Sequence, residues 1–452
     1  MNRPRIVLAA PASGSGKTML TCGLLQALVD RGLKVSSFKC GPDYIDPLFH
    51  EKVIGTKSAN LDLFFTPADR LRTLFCRNSQ GSDISVVEGV MGYYDGLSVS
   101  STEASTYEVA GAIGAPVVLI VNARGQGMSA LASVKGFLDF CPDSGIRGVI
   151  FNQMSAHVFQ ALKDQVAAMG VLPLGYVPKA EDLVIESRHL GLVSPEEIAG
   201  LSRRLHDLAA MMEKTVDLEA LLKLAAGAPE LPQGEPERLP DPVRVRIALA
   251  RDEAFTFLYR DNLTLLQDLG AEILPFSPIR DEKIPAGAQG LILPGGYPEL
   301  YAKQLSENES MRRSIAEAVE GGMPCLAECG GFLYLHRVLE DMDGTFWPMA
   351  GVIDGKAYRT KKLGRYGYIN LQAAEDSALL RREEILKGHE FHYFESTACG
   401  EAMEAVKPLT GISWQCIHDR GTLLAGFPHL FYRSAPGVIA RYLRLCAGKE
   451  ED

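Results

Sequence analysis

The sequence lacks the features that mark secreted, membrane-spanning and zinc-binding proteins. Its nine cysteines form no Cys-x-x-Cys pair, and an odd number of scattered cysteines is typical of reduced thiols. No apolar run reaches about 18 residues, the length that a membrane-spanning helix needs. The apolar stretch over residues 6–10 is too short for a signal peptide. We therefore expect a soluble, cytoplasmic protein that has no membrane partner.

The chain also lacks an excess of positive charge. It has 46 Lys and Arg against 56 Asp and Glu, a formal net charge of −10. This balance gives no electrostatic reason to bind nucleic acid, so we expect small-molecule ligands. An anionic substrate would need a local basic pocket. Candidates for that pocket are Lys39, Lys57, Arg124 and the segment 186–189.

The hydrophobic pattern predicts two α/β domains, since 452 residues are too many for one core. Short apolar runs alternate with helical patterns in the first half, which favours a parallel, doubly wound sheet. A proline-rich stretch precedes a second series of apolar runs. We predict an N-terminal domain over 1–225, an extended linker over 226–242 and a C-terminal domain over 243–448. The predicted strands are residues 6–10, 34–39, 85–89, 116–121, 147–152, 245–250, 290–294 and 323–327.

A phosphate-binding loop follows the first predicted strand. Residues 11–18 read Pro-Ala-Ser-Gly-Ser-Gly-Lys-Thr. Small residues let several backbone N–H groups point at one phosphate, the lysine reaches the β and γ oxygens, and the threonine hydroxyl ligates Mg²⁺. Pro11 replaces the first glycine of the usual pattern, but the part nearest the phosphates is intact. The sequence therefore predicts a nucleotide site that includes Gly14, Ser15, Gly16, Lys17 and Thr18.

Two acidic clusters, residues 39–47 and 88–96, follow predicted strands at the edge where parallel sheets bind their ligands. The acids that they offer are Asp43, Asp46, Glu88 and Asp95. A Mg²⁺-nucleotide site needs carboxylates opposite the loop, although acids in such turns also cap helices. Asn152, after its own strand, is a candidate for recognising the adenine edge or for forming a turn.

A candidate nucleophile occurs late in the chain, between a predicted strand and a predicted helix. Cys329 lies in Glu-Cys-Gly-Gly (328–331), where small neighbours permit a tight turn and a helix N-terminus lowers the pKa of the thiol. Gly295 and Gly296 end an earlier strand, and their N–H groups could stabilise the oxyanion that forms when the thiol attacks a carboxamide. We expect Cys325 to pack as a small hydrophobic residue.

Three histidines are candidates for the general base of this nucleophile. His429 is the best candidate, in Gly-Phe-Pro-His-Leu-Phe. His389 and His392 compete for the role, and their spacing around a glutamate also resembles half of a metal site. For residues 388–393 we favour a short polar strand that faces the cleft.

These motifs together resemble those of the cobyrinic acid a,c-diamide synthase family, a branch of the cobalamin-pathway glutamine amidotransferases. The resemblance covers essentially the whole chain. It rests on residues 12–18, 41–46, 88–92, 94–96, 293–299 and 328–331. It implies a dethiobiotin-synthetase-like N-terminal domain, a C-terminal class I-type glutamine amidotransferase domain, and ATP-dependent amidation of the a and c acetate side chains of a corrin ring.

The resemblance also implies roles for single residues. Those on the Mg²⁺ side are Thr18, Asp43 and Glu88, and those on the substrate side are Tyr44, Asp46 and Asp95. Cys329 corresponds to the nucleophile of the family and His429 to its activating histidine. Other class I amidotransferases place a glutamate two residues after this histidine, where this chain has Phe431. A Cys–His dyad is therefore expected, and its orienting group stays open.

Several related functions are compatible with the same residues. Nickel-sirohydrochlorin and hydrogenobyrinic acid carry the same acetate arms as cobyrinic acid, and a cobyric acid synthase would amidate four other side chains. A nucleotide-dependent switch ATPase with an inactive amidotransferase domain is an alternative of a different class. Such ATPases commonly carry a second lysine early in the loop, where this chain has Pro11 and Ala12.

Overall fold

Alternating apolar and helical segments in the first half fold into a sheet covered by helices. A computed structural model describes residues 3–179, 195–232 and 237–449. The chain divides into two units, residues 1–237 and 238–452. The described strands of the first unit are β1 (Arg5–Ala9), β2 (Val35–Cys40), β3 (Lys57–Leu61), β4 (Ile84–Glu88), β5 (Val117–Asn122), β6 (Ile146–Asn152) and β7 (Leu172–Val177). Its described helices are α1 (Lys17–Asp30), α2 (Ile45–Phe49), α3 (Ala68–Asn78), α4 (Thr106–Ala112), α5 (Met128–Asp139), α6 (Ala156–Ala168), α7 (Pro195–Thr215) and α8 (Leu218–Ala226).

The seven strands form one parallel sheet in the order β3-β2-β4-β1-β5-β6-β7. Alternate residues of β1 enter two different cores. Val7 and Ala9 pack on one face, whereas Ile6 and Leu8 pack on the other. Parallel strands that are buried on both faces are typically near-continuous apolar runs, which explains the run Ile-Val-Leu-Ala. The doubly wound fold is confirmed.

All five strands predicted for this unit are present, each within one residue of its predicted limits. β3 and β7 were not predicted. The sequence of β3 is Lys-Ser-Ala-Asn-Leu, which is mostly polar, and β7 contains a proline and a glycine, which weaken a strand pattern. We propose that residues 226–242 form a linker between two domains, residues 1–225 and residues 243–448.

The second unit contains a sheet in the order β20-β21-β11-β10-β8-β9, parallel except for its edge strand β20. The strands of this sheet are β8 (Val245–Ala250), β9 (Ala271–Phe276), β10 (Gly290–Leu293), β11 (Cys325–Glu328), β20 (His418–Asp419) and β21 (Leu423–Gly426). Its helices are α9 (Arg260–Asp268), α10 (Ala302–Glu307), α11 (Glu309–Glu320), α12 (Gly330–Tyr334) and α13 (Pro436–Cys446). The α/β class expected for this unit is confirmed.

Two further sheets, β13-β12-β14-β17 and β19-β18-β15-β16-β22, follow α12. Their strands are β12 (His336–Glu340), β13 (Phe346–Pro348), β14 (Ile353–Arg359), β15 (Tyr366–Ala373), β16 (Ile385–Phe391), β17 (Phe394–Ser396), β18 (Met403–Val406), β19 (Ser413–Cys416) and β22 (His429–Leu430). Most of these strands were not predicted, because they are short and alternate apolar with polar residues. No helix among the described residues is both long and apolar enough to cross a membrane.

Candidate functional site

The phosphate-binding loop lies between β1 and α1, as the sequence predicts. Gly16, which precedes α1, has a φ of 90°, and a β-carbon there would lie 2.2 Å from Nδ2 of Asn152. Glycine is therefore required by the backbone conformation and by this close approach. Asn152 Nδ2 donates a hydrogen bond to the carbonyl oxygen of Ser15 at 3.0 Å. The amide thus supports the loop, and recognition of adenine by Asn152 stays a prediction.

Lys17 folds back over its own loop. Its Nζ donates to the carbonyl oxygens of Met91 at 2.5 Å and Ala12 at 3.4 Å, and 8% of the residue is exposed. Burial, and then the positive charge of Lys39, lowers the pKa of Lys17. A phosphate would offer this buried cation negatively charged acceptors in place of two neutral carbonyls, which strengthens its hydrogen bonds.

A buried network of charges joins the loop to β2 and β4. Glu88, the last residue of β4, lies in register with Lys39 of β2. Its Oε1 accepts hydrogen bonds from Thr18 Oγ1 at 2.7 Å and from Lys39 Nζ at 2.8 Å. The same Nζ lies 2.5 Å from Oδ2 of Asp46. Although burial alone would lower it, the charges of Glu88 and Asp46 raise the pKa of Lys39, so one ammonium faces two carboxylates.

The oxygen atoms of this network suit Mg²⁺. The Thr18 hydroxyl and the Glu88 carboxylate meet beside the loop, and Mg²⁺ prefers hard oxygen ligands. Burial raises the pKa of Glu88 to about 7, and a divalent cation beside its carboxylate would favour the charged form. Among residues 3–179, 195–232 and 237–449, no three His, Cys, Asp or Glu side chains are arranged to hold a metal ion. That arrangement fits a cation whose other ligands are phosphate oxygens and water.

The remaining residues predicted for this site lie in turns beside the network. Asp43 Oδ1 accepts hydrogen bonds from the backbone N–H of Ile45 at 2.8 Å, so Asp43 caps α2, the alternative function of such acids. Tyr44 is 8% exposed. Asp95 Oδ2 accepts from the N–H of Gly92 at 2.8 Å. The Mg²⁺-side role of Asp43 and the substrate-side roles stay predictions.

The basic residues considered for an anionic substrate lie in different environments. Lys39 is 5% exposed and its ammonium group contacts Asp46 and Glu88, and its place in a basic pocket for the substrate stays a prediction. Lys57 Nζ donates to the carbonyl oxygen of Arg77 at 3.5 Å. Arg124 is exposed on the turn that follows β5. The segment 186–189 lies outside the described residues.

In the second unit, Cys329 lies at a strained turn between β11 and α12. Its φ of 41° and ψ of −100° are rare for a residue with a side chain, and such strain is concentrated at functional turns. A β-carbon on Gly331 would lie 2.0 Å from the carbonyl oxygen of Leu293, and one on Gly330 would lie 2.8 Å from the nitrogen of Gly296. The nucleophile turn and the predicted oxyanion loop are therefore adjacent.

His429, in β22, lies against the same loop. A β-carbon on Gly295 would lie 2.3 Å from Cε1 of His429. Cys329 is 8% exposed and His429 is 3% exposed. The structure thus brings together the three segments that the sequence predicts for thiol chemistry, although they are far apart along the chain.

Burial keeps the thiol and the imidazole uncharged. Burial, followed by the charges of Glu299 and Glu390, raises the pKa of the Cys329 thiol far above its usual value. Burial, followed by His389, lowers the pKa of His429 well below its usual value. The N–H of Gly330 at the start of α12 does lower the pKa of the thiol, as expected, but desolvation outweighs this effect. The resting pair is a neutral thiol and a neutral imidazole, so proton transfer has to accompany attack on the substrate.

Glu328 is a neighbour of Cys329 in the chain and contacts the residue that follows His429. It directly precedes Cys329, is 3% exposed, and its Oε2 accepts a hydrogen bond at 3.2 Å from the backbone N–H of Leu430, which follows His429. Burial raises the pKa of Glu328 to about 7 despite opposing hydrogen bonds from Tyr432 and Leu430. Sequence reasoning missed this contact, and its signal was a glutamate at the end of an apolar strand.

We expect Glu328 to make the second unit less stable as the pH rises. A carboxyl group whose pKa rises from 4.5 to about 7 on folding favours the folded state most below pH 4.5, and this contribution is lost as the pH passes through 7. The full loss is about 3 kcal/mol. Glu328→Gln should remove this pH dependence. Urea unfolding at several pH values would measure it, because both tryptophans, Trp347 and Trp414, lie in the second unit.

The exposed Glu375 provides the matched control for that experiment. Glu375→Gln should keep the pH dependence of the unfolding free energy found for the natural sequence. An equal pH dependence in the Glu328→Gln variant would contradict the assignment.

The strand predicted over residues 388–393 is present as far as Phe391, and His392 follows its end. His389 lies in β16, and the Tyr259 hydroxyl is 3.0 Å from its Nδ1. His392 Nδ1 donates to the carbonyl oxygen of Phe394 at 2.6 Å, and its Nε2 lies 3.1 Å from Oε2 of Glu390. Because both nitrogens of His392 face acceptors of the protein, the alternative of half a metal site has no support.

Known protein families match both units separately. Residues 6–193 match the CobQ/CobB/MinD/ParA nucleotide binding domain, and residues 246–434 match the CobB/CobQ-like glutamine amidotransferase domain. The PurLQS structure from Thermotoga maritima aligns with 46% of this chain and 99% of its own, with a TM-score of 0.32 and 15% identity. The first unit is therefore a nucleotide-binding phosphate-loop domain, and the second is a glutamine amidotransferase domain.

Several curated relatives are similar to the chain over nearly its whole length. The cobyrinate a,c-diamide synthase of Caldanaerobacter subterraneus subsp. tengcongensis is 38% identical over 98% of both chains. The protein of the same name from Listeria innocua is 38% identical over 96% of this chain and 98% of its own. That from Salmonella typhimurium is 39% identical over 97% of both. With this identity over almost the full length, and with both domains in the same order, the chain belongs to the cobyrinate a,c-diamide synthase family.

Proposed function

We propose that the protein amidates the a and c acetate carboxylates of cobyrinic acid, with ATP as co-substrate and glutamine as nitrogen donor. The observation that supports this proposal is the presence of two separate groups of reactive residues in one chain. One is built around Lys17, Thr18 and Glu88, and the other around Cys329 and His429. The names of the relatives support the choice of cobyrinic acid, and the nine free thiols support a cytoplasmic location.

The second unit releases the nitrogen. The sulfur of Cys329 attacks the carboxamide carbon of glutamine, and His429 accepts the thiol proton as the bond forms. The N–H groups of Gly295 and Gly296 stabilise the oxyanion. His429 then returns the proton to the leaving nitrogen, which departs as ammonia. Water hydrolyses the remaining thioester to glutamate and restores the thiol.

The first unit activates the acid. A carboxylate oxygen of the corrin substrate attacks the γ-phosphorus of ATP, and ADP leaves. The resulting acyl phosphate carries a carbonyl carbon that ammonia attacks, with release of phosphate and formation of the amide. Two rounds give the diamide. Water would hydrolyse the acyl phosphate, so the site has to exclude it.

The residues beside the loop have distinct tasks in this reaction. Lys17 leaves the carbonyl of Met91 and binds the β and γ oxygens, while the loop N–H groups hold the phosphates. Thr18 and Glu88 would hold Mg²⁺, with Asp43 as a further candidate, and the cation neutralises charge on the transferring phosphoryl group.

The substrates lie beside these phosphate-binding residues in the proposed complex. Asn152 is proposed for the adenine edge. Tyr44, Asp46 and Asp95 are proposed for the side of the site that faces the corrin substrate. All these ligands are small molecules.

Mass spectrometry of the product tests this function. Purified protein with ATP, Mg²⁺, glutamine and cobyrinic acid should give a diamide, one ADP for each amide, and glutamate. Nickel-sirohydrochlorin acid and hydrogenobyrinic acid serve as competing substrates in parallel reactions. A diamide from one of these but not from cobyrinic acid would contradict the substrate, and four amides would indicate a cobyric acid synthase. ATP hydrolysis with no amide and no glutamate would favour a switch ATPase.

A further inference from the structure

The imidazole of His389 lies face to face with that of His429. The ring centroids are 5.0 Å apart and the planes differ by 20°. The two residues are also cross-strand partners in the antiparallel pair of β16 and β22. Both are buried, with 6% of His389 and 3% of His429 exposed. Stacking between directly paired residues limits the rotation of both rings.

Two neighbours fix His389 in turn. The Tyr259 hydroxyl lies 3.0 Å from its Nδ1, within hydrogen-bond distance. A β-carbon on Gly388 would lie 2.6 Å from the carbonyl oxygen of His429, so the glycine before His389 lets β22 approach closely. Burial lowers the pKa of His389 to about 3, so this ring stays neutral beside the base.

His429 also lies against the oxyanion loop, at Gly295, and its ring centroid is 6.2 Å from that of Phe257. His429 is therefore in contact with a backbone segment as well as with the stacked ring of His389. A glutamate two residues after the base, which would orient it in other class I enzymes, is replaced by Phe431. The dyad thus needs a different group to fix the plane of its imidazole.

We propose that His389, held by Tyr259, is the positioning residue of this dyad: its stacked ring keeps His429 in the plane in which it takes the proton of Cys329. This inference rests on the proposed roles of Cys329 and His429.

Three variants test the proposal in the full chain. His389→Leu removes the ring at similar volume and should lower kcat of glutamine-dependent synthesis by about 10- to 100-fold, the loss that a displaced catalytic group causes, with little change in KM for glutamine. His389→Phe restores a stacking ring and should recover most of the rate. Tyr259→Phe removes one hydrogen bond and should have an intermediate effect. Phe391→Leu, at an exposed position (58%) of the same strand, is the matched control and should leave kcat unchanged.

Two readouts separate positioning from folding. Synthesis from ammonium chloride does not need the thiol and should be the same in all four variants. Alkylation of Cys329 by iodoacetamide, followed peptide by peptide, should slow in His389→Leu and recover in His389→Phe, while alkylation of the half-buried Cys399 stays constant. Full glutamine-dependent kcat in His389→Leu, or equal loss in His389→Leu and His389→Phe, would overturn the proposal. Alkylation measures the reactivity of Cys329 without glutamine or the corrin substrate. It can therefore contradict the role of His389 even if the proposed function is correct.

Discussion

Replacement of Cys329 by alanine should lower glutamine-dependent amidation by at least about a thousandfold, since loss of a covalent nucleophile removes the whole acyl-enzyme route. Amidation supplied with a high concentration of ammonium should continue, because ammonia attacks the acyl phosphate in a site built from the first unit. Glutamate release in the absence of the corrin substrate should be lost as well. Parallel assays with glutamine and with ammonium, both read as amide product, measure the two effects.

Cys325 provides a matched control for this experiment. It lies in β11, the strand that ends directly before Cys329, it is 0% exposed, and its thiol packs in the core of the second unit. Cys325→Ala should keep activity with both nitrogen sources and lower only the stability. Undiminished glutamine-dependent synthesis in Cys329→Ala would show that another group attacks the carboxamide. Loss of activity with ammonium as well would show that the thiol also serves the first unit.

The parts of this molecule that the sequence predicted are those in which neighbouring residues carry the information. β1 and β5 are buried on both faces and consist almost entirely of apolar residues, so they could be recognised from a few residues. A phosphate-binding loop consists of adjacent backbone N–H groups, so residues 11–18 were sufficient to place it. The nucleophile turn is equally local, because its glycines and its cysteine are consecutive.

The antiparallel strands of the second unit could not be found in this way. β13, β17 and β19 have 3, 3 and 4 residues, which is too few to establish a period of two. Their stability comes from partners elsewhere in the chain, such as the register of Ala405 with Trp414. A short segment of alternating apolar and polar residues cannot be distinguished from a turn until the strand that pairs with it is known.

Contacts between buried charges that are far apart in the chain could not be predicted from the sequence either. By sequence Lys39 is a candidate for a basic pocket, and the fold places it between the carboxylates of Asp46 and Glu88. His50, whose Nε2 is 3.5 Å from Glu88, was not considered at all. The sequence gives no sign that Lys39 is buried, because its partner Glu88 is 49 positions away along the chain. Only the fold shows that the acid and the base end neighbouring strands.

Replacement of Lys17 by alanine should abolish amidation with glutamine and with ammonium alike. Lys17 is the cation closest to the position of the transferred phosphoryl group in a phosphate-binding loop, and loss of one such stabilising group costs at least about 10²- to 10³-fold in kcat. The effect should appear in ADP formation and in amide formation to the same extent. Glutamate release should continue, since Cys329 and His429 lie in the second unit.

Lys34→Ala is the control for that variant, because Lys34 is an exposed lysine close to Lys17 in the chain and should not affect any of the three products. Ammonium cannot replace Lys17, because nitrogen is supplied only after the carboxylate has been phosphorylated. Recovery of Lys17→Ala by ammonium would therefore mean that the acid is activated elsewhere. Ammonium should restore amidation in Cys329→Ala but not in Lys17→Ala. Both results together are expected only if the chain has separate centres for activation of the acid and for release of nitrogen.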